Sequence, residues 1–194
     1  MTAEFFFEKF KSIAPNFSKT FDWGYRKDIS HFWNSLELSM KDKSFRFLVE
    51  DLKVRLSASI RVGNFEIYDA KNYGFDKSFE EDGFYPFAFY YQDHLFIKLK
   101  TGKVEARDLV LTKFYDVAKN EQAFLEAFLV FAKHYAYDLE HFTPNSGNYL
   151  SISITQRREI LNEVLKMVGG KKYRPFWVQV FQAWTDEELK EMDV

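Results

Sequence analysis

Residues 85–106 read YPFAFYYQDHLFIKLKTGKVEA, and they decide the fold class. Apolar and aromatic residues fill two runs, residues 85–90 and 94–99, which are separated by a short polar break. Thr101 and Gly102 then turn the chain into a third run at residues 103–106. Short runs of this composition, bounded by turn residues, are typical of strands joined by tight turns. The stretch therefore predicts an antiparallel meander.

Upstream, apolar residues alternate with polar ones six times in succession over residues 52–62. This period of two favours a strand, although residues 45–56 also fit one face of a helix, so strand and helix both stay open for that segment. Gly63 and Asn64 then precede a second alternating run at residues 65–68, which predicts a two-residue hairpin turn. We expect the sheet to begin at this hairpin.

Helices are predicted on both sides of the strands, because apolar residues recur at helical spacing behind good cap residues. In chain order they are residues 3–13 behind Thr2, residues 26–40, residues 120–139 behind Asn120, a helix from the Ser153 and Gln156 capping box to Gly169 and Gly170, and a terminal turn behind the Thr185 and Glu188 capping box. Residues 149–152 are interpreted as one more short strand. The helix at residues 120–139 is expected to cross the sheet.

The fold class that follows is α+β: an antiparallel meander sheet with helices packed mainly on one face, plus a C-terminal helical extension. We expect residues 1–194 to form one domain, with residues 142–194 as an extension packed on it. A chain of this length can bury roughly 70% of its unfolded surface in one core, so neither a metal nor a disulfide is needed for stability.

Composition narrows the class of protein. The chain has no cysteine, and its 27 Lys and Arg against 29 Asp and Glu give a formal net charge of -2, which argues against nucleic acid as the main partner. Acids near the N-terminus stand where a signal peptide needs basic residues, and charges interrupt every apolar stretch before membrane-span length. We therefore expect a soluble cytoplasmic protein with no membrane partner.

The sequence contains no recognisable catalytic, metal-binding or phosphate-binding motif. The four histidines never stand at the spacing that puts two metal ligands on one helix face, and no glycine-rich phosphate motif or nucleophile elbow is present. His134 and Asp138 share a helical face, an arrangement that is more often a surface hydrogen bond than an acid-base pair. These observations predict a protein that is not an enzyme and that has no catalytic residue, metal or cofactor.

Aromatic residues make up 20% of the chain, and most are expected in the core, with a minority left for recognition. One candidate surface combines aromatics with acids, on the premise that the loop before residue 84 and the break after residue 90 lie close together. An acidic loop run is usually only solvated, and the alternative is that it steers a basic partner. The candidate partner-binding residues are Glu80, Glu81, Asp82, Phe84, Tyr90, Tyr91 and Asp93.

Residues 65–139 resemble the SUKH superfamily, which groups yeast cell-wall-synthesis regulators with bacterial toxin-immunity proteins. The resemblance lies in the strand with Pro86-Phe87-Ala88, the polar break, the second apolar strand, the turn at Thr101 and Gly102, and the aromatic-leucine helix from Phe124. It implies helices on one face of an antiparallel sheet and a role in binding another protein, commonly a toxin. A basic toxin domain would suit the acidic loop.

Three classes of function remain open at this stage. An immunity or regulatory module that binds a protein explains the missing chemistry best. A carbohydrate- or small-ligand-binding domain would use exposed coplanar aromatics, and an enzyme would need two converging carboxylates in a cleft. The oligomeric state is left open.

Overall fold

The computed structural model describes residues 1–13, 48–49, 52, 60–68, 81–108, 113–140 and 152–192. Five helices and six strands with defined bounds lie in these ranges, together with a 3-10 turn at Lys171–Tyr173. The helices are α1 (Ala3–Ile13), α2 (Glu121–Glu140), α3 (Ile154–Val168), α4 (Arg174–Phe181) and α5 (Asp186–Met192). The strands are β1 (Ile60–Val62), β2 (Phe65–Ile67), β3 (Phe84–Tyr90), β4 (Asp93–Lys98), β5 (Val104–Asp108) and β6 (Lys113–Ala118).

The sheet is an antiparallel meander in which each strand pairs with the next along the chain, in the order β1 to β6. The α+β fold, the meander and the C-terminal helical part are confirmed. Gly63 and Asn64 form the predicted two-residue turn between β1 and β2, with Gly63 in the left-handed region at φ 54°. Strand β6 was not predicted, because Asp116 and Lys113 weaken the apolar run on either side of Tyr115.

Two register shifts bend the sheet. In β3 the register moves between Pro86 and Ala88, so that Phe87 is an extra residue. In the pair of β5 and β6 it moves between Val104 and Glu105, so that Val117 is the extra residue. A bulge lets adjacent residues face the same side of a sheet. Phe87 and Ala88 are accordingly both buried in the core, which simple alternation does not predict.

Helix ends follow the predicted caps. The Thr2 hydroxyl accepts from the Phe5 amide at 3.2 Å, and the Asn120 side chain accepts from the Ala123 amide at 2.8 Å. The predicted capping boxes are also present. At α3 the Gln156 amide donates to the Ser153 hydroxyl, and at α5 the Glu188 amide donates to the Thr185 hydroxyl.

One prediction is corrected, and two lie partly or wholly outside the described residues. Leu48, Val49 and Leu52 are helical, so the strand reading is wrong at Leu52, and the strand begins only at Ile60. Leu52 belongs both to the helical spacing of Leu48, Val49 and Leu52 and to the alternating run at residues 52–62, which is why the pattern misled. The helix at residues 26–40 lies outside the described residues. So does most of residues 149–152, of which Ile152 lies in a bend.

The core lies on one face of the sheet and is built around α2. Phe128 is fully buried, and its ring centroid is 5.6 Å from that of Phe65, 6.1 Å from that of Phe10 and 6.2 Å from that of Phe6. Strand and helix residues thus meet in one aromatic cluster.

The C-terminal helices close the same core rather than forming a separate one. Trp177 on α4 is fully buried, and its ring lies 6.3 Å from Phe65 of β2 and 6.3 Å from Phe124 of α2. Its indole Nε1–H donates to the Val117 carbonyl at 2.8 Å. Segment 142–194 therefore supplies central core contacts, and we expect the chain without it not to fold.

Candidate functional site

The predicted partner-binding residues divide between the two ends of β3. Phe84 begins the strand and pairs with Lys98, whereas Tyr90 ends it and pairs with Asp93. Strand residues rise about 3.3 Å each, so the two ends lie roughly 20 Å apart. The premise that the acidic loop and the turn after β3 lie together is therefore wrong, because β3 spans the sheet between them.

The acidic end carries Glu81 and Asp82, which are both exposed, followed by Gly83 at φ 81°. Glu80 lies outside the described residues. A Cβ added at Gly83 would meet nothing within 4 Å, so its glycine serves the backbone turn rather than a close contact. This end has the form of a solvated, charged turn leading into β3.

Tyr90 belongs to the core, not to the surface. It is only 6% exposed, and its ring centroid lies 4.5 Å from Phe65 and 5.5 Å from Phe176. Burial raises the pKa of the Tyr90 hydroxyl above its ordinary value, with smaller contributions from Tyr91 and Asp93. Tyr90 supports the turn that follows it.

Tyr91 lies on the surface, in the two-residue turn between β3 and β4. Its side chain is 59% exposed, and its backbone is left-handed with φ 55°. For a residue with a Cβ, the left-handed region costs roughly 1–2 kcal/mol of conformational free energy, so such turns ordinarily use Gly, Asn or Asp. The Tyr91 amide donates to the Asn64 carbonyl at 3.2 Å, which anchors the turn against the β1–β2 hairpin.

The face of the sheet opposite the core, here called the outer face, holds a second group of aromatics. Cross-strand pairing places one row of side chains across it, and two phenylalanines of neighbouring rows lie beside that row. The row is Glu66, Phe89, His94, Arg107 and Phe114, and the neighbouring rings are Phe84 and Phe96.

Arg107 is the centre of this group. Its Cζ lies 4.1 Å from the ring centroid of Phe84, 4.5 Å from that of Phe114 and 5.3 Å from that of Phe96. Cation–π contacts at these distances hold the guanidinium against the rings. Phe114 itself is 58% exposed, so the group reaches solvent at β6.

Tyr91 and Phe114 lie towards the same end of the sheet. Tyr90 pairs with Asp93, Asp93 with Asp108, and Asp108 with Lys113, the residue before Phe114. Three strand spacings of about 4.8 Å separate β3 from β6, or roughly 14 Å. Phe114 stands opposite Arg107 on the outer face, whereas the Tyr91 ring lies 5.1 Å from the ring of Tyr90, a core residue.

Burial favours the neutral form of both histidines in the described residues, His94 and His134. Burial lowers the pKa of His94, whose ring packs edge-on against Phe89 at 5.1 Å. Burial also lowers the pKa of His134, helped by Lys133 and opposed by Asp138 and Glu163. The Asp138 carboxylate accepts from the Ile152 amide at 3.1 Å, so it supports the start of α3.

A cavity of about 400 Å³ lies between the β4–β5 turn and the start of α2. Glu121, which lines it, is buried, and its carboxylate accepts from the Leu48 amide at 2.8 Å. This carboxylate already lies at the positive end of α2, so an added anion would be repelled there.

The described ranges bear on metal binding and on membrane spanning. They contain no cluster of three or more His, Asp or Glu side chains placed to hold a metal ion. Among the helices with described residues, none is long and apolar enough to cross a membrane. Comparison of the chain with known protein families, with curated proteins and with solved structures finds no match.

Phe84 and Tyr91 were candidates from the sequence, whereas Arg107 and Phe114 were not. The signal for these two lay in the unassigned run at residues 113–118, since an alternating Phe114, Asp116 pattern indicates one face of a strand. Once β6 is placed beside β5, Phe114 stands directly opposite Arg107.

Proposed function

We propose that this chain is a non-catalytic protein-binding module whose docking surface is the turn between β3 and β4, centred on Tyr91. The observation that supports it most is Tyr91: a large aromatic, more than half exposed, in a backbone conformation that favours glycine. Its ring packs edge-on against Tyr90 at 5.1 Å, yet more than half of its side chain stays in solvent. Backbone strain of this kind persists where a side chain serves recognition.

Residue type and position support a protein as the ligand. Tyrosine and arginine are enriched among the residues that dominate binding energy, and turns on a rigid sheet are common recognition sites. The Tyr91 ring stands at 87° to that of Tyr90, so this pair does not offer the coplanar platform that would favour a sugar. A flat, stacked ligand is therefore disfavoured at this turn.

The biological role we propose is that of an immunity protein that neutralises a toxin partner in its producer. This role rests on the resemblance of residues 65–139 to the SUKH superfamily, together with the absence of catalytic motifs in the sequence. Blocking a toxin needs only a complementary surface. The partner is then expected to be the product of a gene beside the one that encodes this chain.

The experiment is a kinetic binding series between this chain and that neighbouring gene product. Tyr91→Gly is expected to raise the dissociation constant at least about tenfold, the loss of one interface anchor. Glu81→Lys combined with Asp82→Lys is the matched control. At roughly 20 Å from Tyr91 these charges are screened beyond about 8 Å at physiological salt, so the association rate should change less than about twofold.

Two outcomes would overturn the proposal. Failure of the neighbouring product to bind would remove the toxin-neutralising role. A fall in association rate for the Glu81 and Asp82 variant, with Tyr91→Gly unaffected, would place the docking surface at the acidic end instead.

A further inference from the structure

We propose that Arg107 binds an acidic side chain of a protein partner, at a site framed by Phe84 and Phe114 on the outer face. This inference takes one premise from the proposed function, namely that the ligand is a protein, and adds which side chain of that protein is bound. The site differs from an acidic surface that attracts a basic partner, because here the chain supplies the cation.

The surroundings of the Arg107 guanidinium provide the first argument. Within the part of the chain that the structure describes, its contacts are with the rings of Phe84, Phe96 and Phe114. Its Nε is buried, with no hydrogen-bond partner there. A guanidinium held by rings keeps its charge uncompensated, so a carboxylate is the ligand that would satisfy it.

Geometry gives the second argument. The buried donor of the Arg107 guanidinium is Nε, and the planar group can still present a fork of two hydrogen bonds from its other nitrogens. Because Nε is covered, the expected donors are Nη1 and Nη2. The apolar rings also lower the local dielectric, which strengthens a charged hydrogen bond relative to one in water.

The row beside Arg107 holds two carboxylates, Glu105 and Asp116, which pair directly across β5 and β6. Glu105, in the next row, pairs with Lys98 at 3.7 Å, and Lys98 also lies 5.7 Å from the Phe84 ring. The carboxylate of Glu105 is therefore engaged, and two cations share Phe84. His94, which pairs with Arg107 across the strands, is held neutral by burial, which lowers its pKa.

The chemistry favours a side-chain carboxylate over the carboxylate at the end of a chain. Capture of a C-terminus uses a nest of backbone N–H groups. Phe84, Phe114 and Arg107 instead present side chains from strands whose backbone takes part in sheet pairing. We therefore commit to an aspartate or glutamate of the partner, seated against Phe114.

The test follows the Nε–H signal of Arg107 by NMR in the full-length protein. The probe is a short glutamate-containing peptide blocked at both ends. One comparison peptide has glutamine in place of glutamate, and another has glutamine and a free C-terminus. The blocked glutamate peptide is expected to shift the signal saturably, and the other two are not. An equal shift with the free C-terminus would overturn the choice of a side-chain carboxylate, and no saturable shift would overturn the site.

Variants complete the test. Arg107→Lys keeps the charge but loses the fork, so the dissociation constant for the glutamate peptide should rise at least about tenfold. Lys100→Gln removes a charge from the exposed β4–β5 turn. It should change the dissociation constant for the glutamate peptide less than about twofold. Tyr91→Gly should leave the affinity for the glutamate peptide unchanged. The Arg107 site and the Tyr91 surface can therefore be tested independently of each other. Equal affinity in Arg107→Lys would contradict the site.

Discussion

The indole Nε1–H of Trp177 donates a 2.8 Å hydrogen bond to the carbonyl oxygen of Val117, sixty positions earlier in the chain. Val117 is the extra residue of the bulge in β6, where ladder pairing is interrupted. A helix of the C-terminal segment thus completes the hydrogen bonding of the last strand of the described sheet. Both groups are buried.

Because of this bond, Trp177→Phe should lower the free energy of unfolding by more than the loss of buried apolar area alone. An unsatisfied buried carbonyl costs about 1–3 kcal/mol, in addition to the space left by the smaller ring. The free energy of unfolding, measured by urea denaturation, should fall accordingly. Trp184→Phe is the control, because Trp184 is only partly buried, and it should cost clearly less. Equal losses would contradict a structural role for the bond.

Phe128→Ala tests the position of α2. Because Phe128 is fully buried among aromatic rings, the substitution should lower the free energy of unfolding by about 3–5 kcal/mol. Tyr137→Ala on the same helix, where the side chain is exposed, should stay within about 0.5 kcal/mol. A loss below about 1 kcal/mol for Phe128→Ala would mean that this face of α2 is not core.

Gly169→Ala tests the end of α3. Gly169 has φ 117°, and an added Cβ would lie 2.8 Å from the Tyr173 ring, which is buried. Backbone strain of roughly 1–3 kcal/mol is therefore joined by a steric clash. Gly102→Ala is the comparison, with φ 71° and nothing within 4 Å of the added Cβ. If both variants lower the midpoint temperature of thermal unfolding equally, the close approach of Tyr173 does not contribute to the cost of Gly169→Ala.

Glu188 predicts a dependence of stability on pH. The hydrogen bond from Arg174, followed by that from the Thr185 amide, lowers the pKa of Glu188 from 4.5 to about 2. A carboxyl with a lowered pKa in the folded state stabilises it above pH 4.5, and this contribution is lost as pH falls towards 2. The difference in unfolding free energy between the wild-type chain and Glu188→Gln should therefore shrink over that range. A constant difference would contradict the ion pair with Arg174.

Much of the fold followed from local signals in the sequence. Thr2, Asn120, Ser153 and Thr185 mark helix starts through hydrogen bonds to nearby amides, so their effect is readable from a few residues. The turn at Gly63 and Asn64 is equally local. Such features need no knowledge of the distant chain.

What sequence missed depends on distant partners. Helical spacing and alternation coincide at Leu52, and only packing decides between them. The bulges at Phe87 and Val117 are register shifts between two strands, and neither strand encodes them alone. For the same reason the sequence suggested that Glu81 and Tyr91 lie close together in space, whereas the length of β3 separates them.

The central claim, that Tyr91 is retained for binding at a cost to the fold, is tested most directly by measuring both properties in Tyr91→Gly. Relief of the left-handed backbone should leave the free energy of unfolding unchanged or raise it by up to about 1 kcal/mol. Titration calorimetry with the neighbouring gene product should show at least about a tenfold loss of affinity, while Tyr91→Phe, which keeps the ring, should bind nearly as well. A Tyr91→Gly variant that is destabilised and binds normally would contradict the account.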